Sequence, residues 1–346
     1  MFLTFNPLSR ACVTLKHCHG ITLKTALCGK TAKPLSKFCV RYLRIKNRAT
    51  FIASRYGADI TPSRKAFTNT VQEKSMPVIP DKETVLCMSL AARPGNFGVR
   101  FHNYLYQQLG LNFYYKAFSP SDLPAAIAGM RSLGIRGCAV SMPFKEASIP
   151  LIDEMDPSAA AIASVNTIVN TAGHLKAYNT DYIAVAQLMD SRAVPRTAFA
   201  LRGSGGMAKA VAFAMRESGF TDGVIIARNE EAGRALAQSC GLRWQAALGD
   251  ERPPLLVNVT PLGMIGAQAD ELAFSLDAID AADTVFDVVA NPVNTPLVEA
   301  ARARKKRVIS GDEVAAIQAL EQFVLYTGVR PGDELFQQAA AFARAG

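Results

Sequence analysis

The stretch Thr197–Met215, TAFALRGSGGMAKAVAFAM, joins a short apolar run to a longer apolar-periodic one through Gly203-Ser204-Gly205-Gly206. Five residues of strand type lead into the glycines, and Met207 onward carries apolar residues at helical spacing. Gly203-x-Gly205-x-x-Ala208 fits the pattern G-x-G-x-x-G/A. There, glycines permit a tight turn and close backbone approach, and the following helix presents its first N–H groups to a pyrophosphate. The pattern alone is weak evidence. Here it follows an expected strand and opens an expected helix, the context it requires, so a dinucleotide site is expected over Gly203, Ser204, Gly205, Gly206 and Met207.

The next expected strand, Gly223–Ala227, bears on which dinucleotide. A site for NAD places Asp or Glu near the end of this strand to take the ribose hydroxyls. This chain has Arg228-Asn229 there and no acid until Glu230. A guanidinium pairs with a 2′-phosphate, whereas a carboxylate repels it, so the expected cofactor is NADP with Arg228 as its phosphate ligand. Further strands are expected at Leu255–Val259, Thr284–Val289 and Arg307–Ile309, alternating with helical patterns. This is the rhythm of a doubly wound parallel sheet.

Before this unit the chain reads as a second α/β region. Strands are expected at Val85–Leu90, Phe113–Phe118 and Gly137–Met142. Helices are expected over Val99–Leu109, from Leu123 behind an Asp122 N-cap, over Lys145–Glu154 and over Tyr182–Met189. The runs SVNTIVN and HLKAYNTD, separated by Thr171-Ala172-Gly173, read as a β-hairpin. Two amphipathic helices close the chain, Asp312–Tyr326 and Gly332–Ala345. The expected fold is α/β in two domains with a cleft between them. The first combines 76–182 with 311–346 and binds substrate. The second, 183–310, is a Rossmann-type NADP domain, joined through SRAVPRT.

Charge separates off the beginning of the chain. The net charge is +9, yet residues 1–75 hold fourteen Lys/Arg against two acids, leaving 24 basic and 27 acidic residues in the remainder. The remainder therefore makes no electrostatic case for nucleic acid. Residues 1–75 read either as a targeting segment or as sequence upstream of a start at Met76, and as standing outside the fold. No run of about 18 apolar residues occurs, so no membrane span is expected. Seven scattered cysteines without CxxC spacing suggest reduced thiols and a cytoplasmic setting. Cys12, His17, Cys18 and His19 match no standard zinc spacing, and no metal is expected.

Hydride transfer to a carbonyl leaves charge on oxygen, which calls for a proton donor held by a partner. The body contains only His102 and His174, no GxSxG and no HExxH. What it offers is Lys145, just after Gly137–Met142, and Asp181 at the end of YNTD, an ammonium–carboxylate couple if they meet in a partly buried cleft.

At these residues a resemblance becomes specific. VSMPFKEASIPLIDEMDPSAAAIASVNTIVN…AYNTD, GSGGMAKA, VNVTPLGM and ISGDEVAAIQALEQFVLYTG occur in the order found in shikimate dehydrogenases. The sequence is identified as a member of the divergent branch of shikimate 5-dehydrogenase-like proteins, similar also in CMSL…RPGNFG…FHNYLY. The resemblance covers about residues 84–346. It implies an NADP-dependent enzyme of the shikimate pathway of aromatic amino acid biosynthesis, acting on a small cyclic hydroxy acid as a monomer or homodimer. It implies Lys145 and Asp181 as the catalytic pair, with Asn166, Gln318 and Ser141 on the substrate. The dinucleotide would lie on Gly203, Gly205, Gly206 and Arg228, and the nicotinamide along Thr260 and Met264. Several positions depart from the family pattern. Two serines that take the substrate carboxylate are replaced by Asn96 and Gly98, the usual Asn-x-Thr is Ala139-x-Ser141, and a substrate-facing tyrosine is Ala290. These changes leave open a dehydrogenase for another substrate, for example an amino-substituted one, or an NADP-binding regulator with little turnover.

Overall fold

The computed structural model describes residues 79–345. The readings of residues 1–75, including Cys12, His17, Cys18 and His19, lie outside them. Each apolar run expected as a strand is one, and pairing sorts the strands into two six-stranded sheets.

The first sheet is built from β1 (Val85–Leu90), β2 (Phe113–Phe118), β3 (Gly137–Val140), β4 (Glu154–Met155), β5 (Thr167–Thr171) and β6 (His174–Tyr178), in the order β2-β1-β3-β5-β6-β4. β1, β2 and β3 run parallel, connected through α1 (Phe97–Gln108) and α2 (Leu123–Ser132). Asp122 caps α2 by accepting from the Ala125 amide, the role its position suggested. β5 and β6 form the expected antiparallel hairpin, with Thr171 opposite His174. Its two turn residues, Ala172 at φ 51 and Gly173 at φ 90, both have positive φ, as a two-residue hairpin turn matching the twist of the strands requires.

The second sheet is parallel throughout. Its strands are β7 (Phe199–Arg202), β8 (Gly223–Ile226), β9 (Arg243–Gln245), β10 (Leu255–Asn258), β11 (Thr284–Asp287) and β12 (Arg307–Ser310), in the order β12-β11-β10-β7-β8-β9. Numbered from β7, that order is 3-2-1-4-5-6 read from the β9 edge, the Rossmann arrangement, with its crossover at β7 and β10. Both faces are covered by apolar clusters, one centred on Leu201, Val211 and Phe286 and the other on Ala200, Ile226 and Leu256. That explains why β8, β10 and β11 are buried at every position. On the second face the cluster includes residues of α8 (Leu276–Ala281) and α9 (Pro296–Ala303).

The sheets are tied together by helices. α5 (Thr180–Ser191) leaves the first sheet and packs against α6 (Gly206–Glu217) of the second and against α10 (Gly311–Thr327). α10 carries the chain back, so Phe323 and Tyr326 join the core around Phe101 and Tyr115, and α11 (Asp333–Arg344) lies on α1. Among the described residues, no helix is long and apolar enough to cross a membrane.

Two expectations need correction. The strand placed at Gly137–Met142 ends at Val140. The helix expected over Lys145–Glu154 is only α3 (Phe144–Ala147), followed by a 3-10 turn at Ile149–Leu151 and then β4. Pro150 lacks an N–H and cannot extend the ladder, and Leu175 and Ala177 of β6 accept from Asp153 and Asp156 instead. α4 (Pro157–Ile162), capped by Asp156, and the strands β4 and β9 were not foreseen. Two and three residues are too few to show periodicity.

Candidate active site

Lys145 lies in the first turn of α3, and Asp181 in the first turn of α5, whose N-cap is Asn179. Lys145 Nζ donates to Asp181 Oδ2 at 2.5 Å, with side chains 18% and 11% exposed. The pair is thus partly withdrawn from water, with one face open.

Beneath it runs a buried polar chain. Asn166 Oδ1 accepts from the Thr180 amide at 2.8 Å, from Thr180 Oγ1 at 3.1 Å and from Thr167 Oγ1 at 2.8 Å. Three donors saturate that oxygen and fix the amide plane, so Nδ2 is the group left to donate. Gln322 Nε2 donates to Thr167 Oγ1, and Gln318 of α10 lies 3.5 Å from Thr180 Oγ1 through its Oε1. Asn166 and Gln318, 152 positions apart in the chain, therefore meet at Thr180 beside Asp181. Ser141 is exposed at the end of β3, and its amide donates to Leu90 O.

The glycine loop closes the other side. Gly203 has φ +133, and a Cβ there would stand 2.7 Å from Val259 Cγ2. Gly205 is the N-cap of α6, with open space where a side chain would be. A Cβ on Gly206 would lie 3.2 Å from Ser164 Oγ and 3.9 Å from Lys145 Cδ. The loop expected to hold a dinucleotide thus rests directly against the lysine. Ser204 is half-buried in the loop, while Met207 packs its side chain against the core.

Arg228 is exposed just past the end of β8. Asn229 is occupied as the N-cap of α7 (Glu230–Cys240), and Glu230 pairs with Arg234 at 2.7 Å on that helix. The first acid past the strand is therefore already paired, which suits a 2′-phosphate. Thr260 is bound into its own turn, donating through Oγ1 to Asn258 Oδ1 at 2.6 Å, and Met264 is 36% exposed on the same segment. The open cradle at Gly205, the tight approach at Gly203 and the acid-free strand end together fit NADP. Among the described residues no cluster of His, Cys, Asp and Glu could hold a metal.

At the altered positions, Asn96 is the N-cap of α1 without a side-chain cap bond, and a Cβ at Gly98 would stand 3.5 Å from the Tyr115 hydroxyl. His102 is wholly buried and stacked on Tyr115, with ring centroids 4.4 Å apart. Neither ring nitrogen is exposed to a substrate. Four residues were not singled out in the sequence: Ser164, Thr167, Thr180 and Gln322. Thr167 and Thr180 stand inside VNT and YNTD, next to residues that were, and that adjacency is the signal that could have found them.

Comparison with known proteins agrees with this architecture. The model of the shikimate dehydrogenase substrate binding domain matches residues 97–168. A shikimate dehydrogenase-like protein of Haemophilus influenzae is 54% identical over 266 residues, 76% of this chain and 98% of that protein. The shikimate dehydrogenase (NADP(+)) of Moorella thermoacetica is 37% identical, over 66% of this chain and 82% of its own length. Among solved structures, a shikimate 5-dehydrogenase-like protein superposes with a TM-score of 0.73 at 54% identity, covering 77% of this chain and all of that one. The Thermus thermophilus shikimate 5-dehydrogenase in complex with NADP(H) and shikimate superposes at 0.69 with 27% identity, over 75% and 100% of the two chains. With such identity along nearly the whole length of its relatives, the chain belongs to the shikimate dehydrogenase family.

Proposed function

We propose that the protein reversibly interconverts a shikimate- or quinate-like cyclic hydroxy acid and its 3-keto form, with Lys145 and Asp181 as the acid–base pair. Its family makes it an NADP-dependent oxidoreductase acting on CH–OH. NADPH, when bound, supplies the hydride. Lys145 donates a proton to the oxygen on which negative charge develops, and takes it back in the oxidative direction. Asp181 holds the ammonium in place and shares its charge. Asn166 Nδ2 and Gln318 meet substrate hydroxyls, and Ser141 adds a weaker contact. Gly203, Ser204, Gly205, Gly206 and Met207 form the phosphate loop, Arg228 takes the 2′-phosphate, and Thr260 and Met264 line the nicotinamide. Residues 76–182 with 311–346 would form the substrate domain and 183–310 the NADP domain. The protein would act in the cytoplasm as a monomer or homodimer, without nucleic acid or membrane.

The observation that carries this reading is the position of the Lys145–Asp181 pair, 2.5 Å apart and set against Gly206 of the glycine loop. The test is turnover of shikimate, quinate, dehydroshikimate and aminoshikimate with NADP and NAD, for wild type and Lys145→Ala. The variant should lose about 10²- to 10⁴-fold in kcat while still binding NADP. Unaltered turnover in Lys145→Ala would sink the mechanism.

A second reading is an NADP-binding regulator with little turnover, or a dehydrogenase for another substrate. It is favoured by Asn96 and Gly98 in place of hydroxyls, and by Ala290. Each lost hydrogen bond to a substrate oxygen costs about 1–3 kcal/mol. NADP binding with no turnover of any compound in the panel would support the regulator.

A further inference from the structure

Arg202 is an unusual residue for its place. It ends β7, directly before Gly203, in a strand otherwise made of Phe199, Ala200 and Leu201. Its side chain is half-buried, its Nε is fully buried, and among the described residues that nitrogen has no hydrogen-bond partner. No ion pair with a described carboxylate offsets it. Leaving a guanidinium in this state costs stability unless something else occupies the position.

Its surroundings show what that would be. Side chains along a strand alternate between faces. Arg202 therefore shares the face of Ala200, and its guanidinium lies over the ring of Phe274, 5.5 Å from the centroid. On the neighbouring strand Ile226 pairs with Arg202 in register, and Gly203 donates its N–H to Ile226 O. Ile226 lies in the same cluster as Ala200, so Arg228, two residues on, emerges on this face too. Two arginines thus leave adjacent strands on one face of the sheet, at its carboxyl edge beside the glycine loop. Burial, and after it the like charge of Arg228, holds the Arg202 guanidinium below its ordinary pKa. Two cations brought together without an acid are relieved by an anion with several acceptor oxygens.

We infer that Arg202 is a second specificity residue for the cofactor, clamping its 2′-phosphate together with Arg228. The inference rests on the NADP reading above and extends it to a position where the strand would otherwise carry an apolar side chain. Phe274 provides a wall that limits the rotamers of the guanidinium, so it is held ready for the phosphate.

The test is calorimetric titration of the full chain with NADP+, NAD+ and adenosine 2′-monophosphate, for wild type, Arg202→Leu, Arg202→Lys and Arg228→Ala. The expected result for Arg202→Leu is a loss of about tenfold or more in affinity for NADP+ and for the monophosphate, with NAD+ nearly unchanged. Arg202→Lys should restore part of it. The thermal midpoint of the free protein should stay level or rise in Arg202→Leu, because a buried cation without a partner has been removed. Equal losses for NADP+ and NAD+, undiminished NADP+ binding, or a lowered midpoint of the free protein would each overturn the inference. A wild type that prefers NAD+ would instead overturn the cofactor reading itself, whatever the Arg202 variants do.

Discussion

A histidine with no exposed surface, stacked on Tyr115 and flanked by Tyr106, Phe101 and Phe323, holds a proton only at great cost. Burial drives the pKa of His102 down to about 3. The folded pKa lies below the ordinary 6.5, so the folded state binds fewer protons than the unfolded chain. The contribution to stability is full above about pH 6.5 and is lost as pH falls toward about 3, at up to about 1.4 kcal/mol per pH unit. His102→Phe keeps the aromatic stack and should flatten this part of the stability profile in denaturant titrations from pH 7 to 4. Identical slopes for the two proteins would refute it. At this scale the sequence exposed Lys145 and Asp181, because an ammonium and a carboxylate inside ordered motifs stand out. Ser164, Thr167 and Thr180 did not, because a serine or threonine is ordinarily a surface or turn residue. Only their burial, with Oγ atoms turned toward Asn166 or Gly206, marks them.

The strand–loop–helix unit from Phe199 to Glu217 is the element on which the dinucleotide reading depends. Gly203 is strained for any other residue in two ways, by its φ of +133 and by the Val259 side chain that would meet a Cβ at 2.7 Å. Gly203→Ala should therefore destabilise the protein by about 1–3 kcal/mol in equilibrium unfolding and should weaken NADP binding. Unfolding indistinguishable from wild type would show that the loop can yield. Elements of this kind were legible in advance because their cues are local: glycines before a helix, Asp122 as an N-cap, Gly173 in a hairpin turn. Where the cue was not local the reading failed. Helical spacing after Lys145 suggested ten residues, but Pro150 and the pull of β6 end the helix at Ala147.

Across the whole molecule, α3 of the first sheet and α6 of the second are joined by an ion pair, Glu146 to Lys209 at 2.7 Å. Glu146 is more than half exposed, so the pair adds little to global stability. It does link the helix of Lys145 to the helix that follows the glycine loop, the two elements between which the proposed cleft would close. Lys209→Met should lower kcat/KM by about twofold to fivefold, equivalent to about 0.4–1 kcal/mol, with unfolding nearly unchanged. The charge-swapped protein carrying Glu146→Lys and Lys209→Glu should recover the loss. A stability loss larger than the kinetic one would mean that the pair is simply structural. By itself the sequence determined the alternation of strands and helices, the glycine loop, the acid-free end of β8 and the identities of the reactive side chains, since all of these depend on neighbours a few residues apart. The tertiary structure alone decided that Asp181 reaches Lys145 across 36 residues, that α10 returns Gln318 and Gln322 to Thr180 and Thr167, and that Arg202 comes within the field of Arg228 with no described carboxylate paired to it. Those meetings follow from sheet order and helix return, which are set by burying apolar faces over the whole chain and leave no local trace.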